Sequence, residues 1–244
     1  MKFIHTADWH LGRQLSGVSL LEDQRHVLNQ FLALVESEKP DAVVVAGDLY
    51  DRSVPPSDAV ALLDEVLRQL VLELGTPTIL IGGNHDGPQR LSFGASFLEK
   101  AGLHLRTGLE RVDDPITLED AHGTVDFYAV PYAEPAEVRN AFPEAEAHTH
   151  EAAMGFLVGR IAMARKQRGN RSVLIGHAFV AGGEESESER PLSVGGAGTI
   201  PASLFSSFNY TALGHLHRTQ TMGEKKTVRY TGSPLKYSFS AVSH

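Results

Sequence analysis

Five short apolar runs in this chain end in the same way, and that repetition limits the fold more than any other feature. Lys2–Thr6 runs into Asp8-Trp9-His10, and Ala42–Ala46 into Gly47-Asp48-Leu49-Tyr50-Asp51. Thr78–Ile81 runs into Gly82-Gly83-Asn84-His85-Asp86, Ser172–Ile175 into Gly176-His177, and Tyr210–Leu213 into Gly214-His215-Leu216-His217. The runs are short and rich in β-branched residues, which marks them as strands. Val125–Val130 and Thr227–Tyr230 have the same character. Between the strands lie longer amphipathic stretches with helical spacing: Leu20–Ser37, Ser57–Leu74, Pro88–Lys100 and Glu151–Gln167. Such alternation predicts an α/β domain with parallel pairing. Leu105–Tyr132, with its turn at Asp120-Ala121-His122-Gly123, reads as antiparallel hairpins, so mixed pairing is expected. Ligands of open α/β sheets sit at the carboxyl ends of the strands, and the five polar termini are therefore expected to converge.

Each terminus alone has a structural explanation: a helix cap, a Gly-Asp turn, an Asx turn, or a histidine satisfied at a strand end. The joint pattern is what carries weight. Of the twelve histidines, five (His10, His85, His177, His215 and His217) fall at these termini. The others, His5, His26, His104, His122, His148, His150 and His244, show no such placement and are assigned no role. Oxygen and imidazole donors without thiolate suit Mn²⁺, Fe or Zn²⁺. Two carboxylates, an amide oxygen and four imidazoles exceed the needs of one ion and match two ions sharing a site.

Composition limits the alternatives. The 244 residues hold no cysteine, which excludes disulfides, thiolate zinc sites and cysteine nucleophiles and makes a reducing cytoplasm the expected compartment. No apolar run approaches the roughly 18 to 20 residues of a membrane span, and the chain opens on a strand-like segment rather than a signal peptide. The net charge of −8 argues against a nucleic-acid partner, unless divalent cations held by the carboxylates restore positive potential where a phosphate would sit.

The ordered set Asp-x-His, Gly-Asp-x-x-Asp, Gly-Asn-His-Asp, Gly-His and Gly-His-x-His resembles the calcineurin-like metallophosphoesterase superfamily, from Asp8 to His217. Within it, "MKFIHTADWHLGR", "GDLYDRSVPPSDA", "GGNHDGPQRLSFG" and "TGSPLKYSFS" resemble the SbcD-type DNA nuclease subunits of double-strand-break repair. The resemblance implies two mixed β-sheets packed as a sandwich flanked by helices. It implies Asp8, His10, Asp48 and His217 as ligands of one metal and Asp48, Asn84, His177 and His215 as ligands of the other, with Mn²⁺ as the working ion. His85 takes the place of the family's catalytic histidine, and Asp86 is a candidate to fix its ring. Asp51 stands where archaeal relatives carry a second histidine, so its role is open.

The implied activity is a two-metal DNA nuclease, an exonuclease on duplex ends and an endonuclease on hairpin or single-stranded DNA. It would act as a homodimer with an SMC-like ATPase of the SbcC type. The alternative is a metallophosphoesterase acting on nucleotides, cyclic nucleotides or other phosphate esters. A non-catalytic scaffold on the same fold would show lost ligands, and here every ligand position is filled. One nuclease domain is expected over residues 1–244, without the family's DNA-capping domain and partner-binding tail. Arg13, Arg52 and Arg90 follow the motifs directly and are either phosphate contacts or ordinary surface arginines. Trp9 is either core or a base-stacking platform. The apolar breadth of Ser57–Leu74 fits a second buried face or a dimer contact. The acidic loop Gly182–Gly198 is either solvated surface or a border of the site.

Overall fold

A computed structural model describes residues 1–189 and 198–238. The last eight residues of the acidic loop before Gly198, and the final residues of the "TGSPLKYSFS" segment, lie outside the described residues.

Two sheets form the centre of the molecule. The first has four strands, β1 (Phe3–Thr6), β2 (Ala42–Val45), β3 (Thr78–Ile81) and β4 (Leu103–Arg106), in that spatial order. All of its pairings are parallel, with Phe3 opposite Ala42, Val43 opposite Thr78 and Thr78 opposite Leu103. The second sheet contains β5 (Ile116–Asp120), β6 (Gly123–Val130), β7 (Arg171–His177), β8 (Tyr210–Gly214), β9 (Gln220–Met222) and β10 (Val228–Tyr230), in the order β9-β10-β8-β7-β6-β5. Its inner pairings are parallel and its two outermost ones antiparallel. The mixing of directions is therefore confined to the second sheet.

Strand periodicity builds the layers, because successive side chains point to opposite faces. In β2, Val44 turns toward the second sheet while Val43 and Val45 turn toward the helices. In β7, Val173 and Ile175 face the first sheet and Leu174 faces away. The inner layer so formed includes Val44, Ile79, Ile81, Phe127, Val173, Ile175 and Ala212. Helices Leu21–Glu38 (α1) and Ser57–Arg68 (α2) cover the outer face of the first sheet. Helix His150–Arg168 (α3), capped by the Thr149 hydroxyl accepting from the Ala152 N–H, covers the second. The result is the α/β domain that the strand–helix alternation predicts, arranged as the sandwich of two sheets between helices that the family resemblance implies.

Three local expectations need correction. Leu103–Arg106 is the parallel edge strand of the first sheet, while the expected hairpin is confined to β5 and β6. Its Leu103 and Leu105 are buried beneath the helices, a packing that so short a run does not announce. Pro88–Lys100 is no single helix but two short turns, Pro88–Leu91 and Ala95–Leu98, followed by a 3₁₀ turn. Gly94, at φ 76°, breaks it in the left-handed region that glycine enters without strain. The stretch Ser57–Leu74 is not one α-helix: α2 ends at Arg68, and a π-helical segment, Gln69–Glu73, follows it.

The inter-sheet layer carries the stability of this arrangement. Phe127 is fully buried there, with its ring 5.6 Å edge-on from Phe3. Phe127→Ala is expected to cost about 3–5 kcal/mol, read as a lower midpoint in urea denaturation with an unchanged slope.

Candidate metal centre

The carboxyl ends of β1, β2, β3, β7 and β8 open at the same end of the sandwich, and the turn after each places its polar side chain within reach of the others. Several of these turns are strained. Asp8, His10, Asp48 and His215 have positive φ values of 57°, 45°, 52° and 106°, a region that costs a non-glycine residue about 1–3 kcal/mol. Close backbone approach also requires glycine: a Cβ on Gly214 would lie 2.0 Å from the Ala46 carbonyl oxygen, and one on Gly83 would lie 2.2 Å from Asp48 Oδ1.

All seven side chains singled out as ligands meet in one cluster. The Nε2 atoms of His10 and His217 face each other at 2.9 Å. His10 Nε2 stands 3.6 Å from Asp48 Oδ2, and His177 Nε2 stands 3.4 Å from the same oxygen. Asn84 Oδ1 is 2.9 Å from His177 Nε2 and 3.3 Å from His215 Nδ1. Asp8 Oδ1 accepts from the His215 backbone N–H, while its Oδ2 and the Nε2 of His215 are buried with no hydrogen-bond partner among the described residues. Among the described residues three groups have ligand atoms within 4.8 Å of one another: Asp8, His10 and His217; Asp8, Asp48 and His177; and His10, Asp51 and His85. Leu216, between the paired histidines, is fully buried in the outer core and sets them on the other face of the chain.

This donor set fits divalent cations. Two imidazole nitrogens at hydrogen-bond distance, an unpartnered buried carboxylate oxygen and an unpartnered imidazole nitrogen are what a cation would satisfy. The electrostatics point the same way. Burial and the neighbouring Asp48 push the Asp8 carboxyl well above the usual carboxylate range, although the His177 charge opposes the shift. Burial would raise Asp48 too, but His177, His10 and His85 around it hold it below that range. Burial pushes His10 well down, and takes His215 and His217 to about 3, which favours the neutral, ligating imidazole.

The surrounding shell orients the ligands. His177 Nδ1–H donates to the Ala46 carbonyl at 2.8 Å, which leaves Nε2 for the site. Asp86 does not hold the His85 ring. Its buried carboxylate accepts from the backbone N–H groups of Leu49, Tyr50 and Gly83, tying the β2 turn to the β3 turn. His85 Nδ1–H instead donates to the Asp51 carbonyl oxygen at 2.9 Å, and the His85 backbone N–H donates to Asp48 Oδ1. The Asp51 carboxylate stands 3.8 Å from His10 Nδ1 and receives Arg13 Nη1 at 3.3 Å.

The three arginines part company. Arg13 is largely covered, donating also to the Ser188 carbonyl and lying over the Tyr237 ring. Arg52 is exposed beside Asp51, and Arg90 is exposed at the edge of a neighbouring groove. Trp9 is core, packed edge-on against Phe31 with its Nε1–H on Thr6 Oγ1. The described part of the acidic loop borders the site through Ser188 and Glu189, both bonded to His217. Gln24, Ser188, Glu189 and Tyr237 escape sequence reading. Gln24 donates to the Trp9 and His10 carbonyls and to Tyr237 Oη from inside a helix whose pattern marks only its apolar face.

A family model for calcineurin-like phosphoesterases matches residues 1–218. The chain belongs to the calcineurin-like phosphoesterase family. The D subunit of nuclease SbcCD from Staphylococcus epidermidis is 42% identical over 243 residues, covering 100% of this chain and 63% of that protein. The protein of the same name from Staphylococcus saprophyticus is 42% identical over 240 residues, 98% of this chain and 62% of that one. The chain thus spans less than two thirds of the length of these relatives. Among solved structures, TT1561 of Thermus thermophilus superposes with a TM-score of 0.55 at 14% identity, over 95% of this chain and 89% of its own. A dimetal phosphatase from Danio rerio gives 0.51 at 13%, over 94% and 85%. These likenesses bear on the fold of this phosphoesterase alone.

Proton competition at His177 gives a test. Burial alone would lower its imidazole, but the Asp48 carboxylate and Asp8 raise it to about 9. The metal-free chain therefore carries a proton there at neutral pH, and a cation must expel it. Metal affinity is expected to rise with pH, by up to about tenfold per unit below 9 for each proton displaced. Calorimetric Mn²⁺ titrations near neutral pH in buffers of different ionisation heat should show release of at least one proton. Heats independent of the buffer would contradict it.

Proposed function

We propose that this chain is the catalytic part of a two-metal DNA nuclease. The observation that carries the reading is the pair of imidazole nitrogens, His10 Nε2 and His217 Nε2, facing each other at 2.9 Å beside the unpartnered Asp8 Oδ2. Asp8, His10, Asp48 and His217 would hold one divalent ion, and Asp48, Asn84, His177 and His215 the other, with Asp48 shared and Mn²⁺ the working metal. When bound, such ions neutralise charge on the phosphate oxygens and acidify water.

The chain's own residues supply orientation and proton transfer. The Asp51 carbonyl accepts from His85 Nδ1–H, so Nε2 is the ring nitrogen left for the substrate. In the imidazolium form it carries the second proton and gives it to the leaving 3′-oxygen of a phosphodiester, and the ring is left neutral with Nδ1–H still on Asp51. Asp86 keeps the two turns that carry Asp48 and His85 in register. Arg90, and Arg52 from its exposed ion pair with Asp51, stand at the rim to contact phosphates flanking the cut. Arg13 is already engaged and serves as a brace.

The naming of the 42% identical relatives as subunits of a nuclease supports DNA as substrate and an SMC-like ATPase of the SbcC type as partner, in break repair. Exonuclease action on duplex ends and endonuclease action on hairpin or single-stranded DNA follow from the same resemblance. A reducing cytoplasm suits a chain without cysteine. Among the described residues no helix is long and apolar enough to cross a membrane.

Cleavage of blunt, hairpin and single-stranded DNA in Mn²⁺, compared with bis-p-nitrophenyl phosphate and a phosphomonoester, tests this function. His85→Ala is expected to retain both metals and to lose about 10²–10⁴-fold in rate. Asp48→Ala, which removes the shared ligand, should fall to background. Preference for a monoester over every DNA would favour the phosphoesterase alternative, and wild-type rates in His85→Ala would remove that residue from the mechanism.

A homodimer is also proposed, through the face beside this site. Phe93, 88% exposed, lines a groove there together with Val54 and Val60, and Phe97, four residues on in the chain, is 81% exposed. The groove, of about 410 Å³, is also lined by Leu63, Leu67 and Leu91. Most of the apolar breadth of helix α2 is spent in the core, with Val60 left at this surface. Phe93→Asp combined with Phe97→Asp should convert a dimer to a monomer in sedimentation equilibrium. A wild-type chain that is monomeric at high concentration would refute the dimer.

A further inference from the structure

His217 is held by more than its own strand end. Its backbone N–H donates to Glu189 Oε1 at 2.7 Å, and its Nδ1 lies 2.6 Å from the Ser188 hydroxyl. Ser188 is 7% exposed, and its Oγ lies 2.7 Å from the hydroxyl of Ser186. Ser186 in turn meets Glu189 Oε2 twice, from its backbone N–H at 2.6 Å and from its hydroxyl at 2.7 Å.

The direction of every proton in this chain of contacts can be assigned by counting. A carboxylate only accepts, and a serine hydroxyl has one hydrogen to give. Ser186 therefore spends its hydrogen on Glu189 Oε2. The contact between the two hydroxyls must then be donated by Ser188. With its hydrogen committed to Ser186, Ser188 can only accept from His217, so Nδ1 bears the proton and Nε2 bears the lone pair. Nε2 is the nitrogen that faces His10 in the site. The same loop is anchored by Arg13, which links the Ser188 carbonyl at 2.9 Å to the Asp51 carboxylate at 3.3 Å. Asp51 carries the carbonyl that receives His85.

We propose that Glu189, Ser186 and Ser188 form a hydroxyl relay that sets the tautomer of His217, making Ser188 and Ser186 positioning residues for the metal site. The proposal rests on the two-metal reading for its purpose, but the tautomer stands or falls without it. Losing the Ser188 hydroxyl leaves His217 free to place its proton on Nε2, where it blocks a cation. Losing the Ser186 hydroxyl frees Ser188 to donate to Nδ1, with the same consequence at one remove, although Ser186 does not touch His217. Partners of this kind, one step behind a ligand, typically change metal affinity by about 10–100-fold when removed.

The test uses Ser188→Val and Ser188→Thr, which match each other in shape and differ in the hydroxyl, together with Ser186→Ala. In ¹⁵N-histidine correlation spectra of the metal-free chain, wild-type His217 should show a protonated Nδ1 and an unprotonated Nε2. Ser188→Thr should keep that signature, while Ser188→Val and Ser186→Ala should show mixed tautomers. In Mn²⁺ titrations, Ser188→Val should weaken one of two sites by about tenfold or more, and Ser188→Thr should restore it. A wild-type His217 protonated at Nε2 overturns the proposal. So does Ser188→Val with wild-type spectra and affinities. If Ser188→Val fails to fold, Ser186→Ala decides by the same spectra. A wild-type chain that binds fewer than two ions would instead defeat the two-metal function, leaving the tautomer measurement to judge the relay.

Discussion

Two buried carboxylates, Asp8 and Asp48, cannot both be charged at close quarters without a compensating cation, and much of the molecule is arranged around that conflict. Without an ion the conflict appears as opposite shifts: Asp8 is driven up by burial and by Asp48, while Asp48 is held down by the histidines around it. The proton of His177 then acts as the counter-charge within the cluster. Left-handed backbone at Asp8, His10, Asp48 and His215 and glycine at positions 83 and 214 are the conformational cost of bringing these groups together. That cost is sustained because the strands behind them pack on both faces between helices and the opposing sheet, fully buried in Ala42–Val45 and Thr78–Ile81 and half-buried in Phe3–Thr6.

What the sequence disclosed follows from this division between strand and turn. The strands behind the five polar termini were legible because each is a short apolar run that stops where the chemistry begins. The termini were legible because Asp, Asn and His recur there against a background of valine, isoleucine and leucine. The edge strand Leu103–Arg106 was not, since its four residues include His104 and Arg106 and, among the described residues, its outer edge has no partner to complete a pattern. The break in Pro88–Lys100 was missed because Gly94 lies within a pattern whose exposed Phe93 and Phe97 look like a core stripe on spacing alone. Burial is a tertiary property, and helical periodicity does not distinguish a stripe facing the core from one facing outward.

The shell behind the ligands was harder to read, for a chemical reason. A metal ligand must be Asp, His or Asn in a narrow geometry, whereas its supporting partner can be any acceptor, including a main-chain carbonyl. His85 shows the difference. Its sequence neighbour Asp86 looked like the partner of its ring, yet the partner is the carbonyl of Asp51, an atom every residue possesses. Asp86 instead satisfies three backbone N–H groups of the two turns, a role that no side-chain pattern encodes. His177 is oriented by the carbonyl of Ala46 in the same manner.

The acidic net charge can be understood on the same footing. Asp8 and Asp48 are buried in the cluster and Asp86 is consumed by backbone donors, so three of the thirty acidic residues present little field to solvent. The arginine nearest the cluster, Arg13, is spent on Asp51 and the Ser188 carbonyl. Positive potential at the mouth of the site would therefore come from the proposed divalent cations, with Arg52 and Arg90 adding to it at the rim. Attraction of a phosphate backbone then depends on metal occupancy first and on surface charge second. On that footing the proposed phosphodiester substrate would be held at the point of chemistry more strongly than along its length.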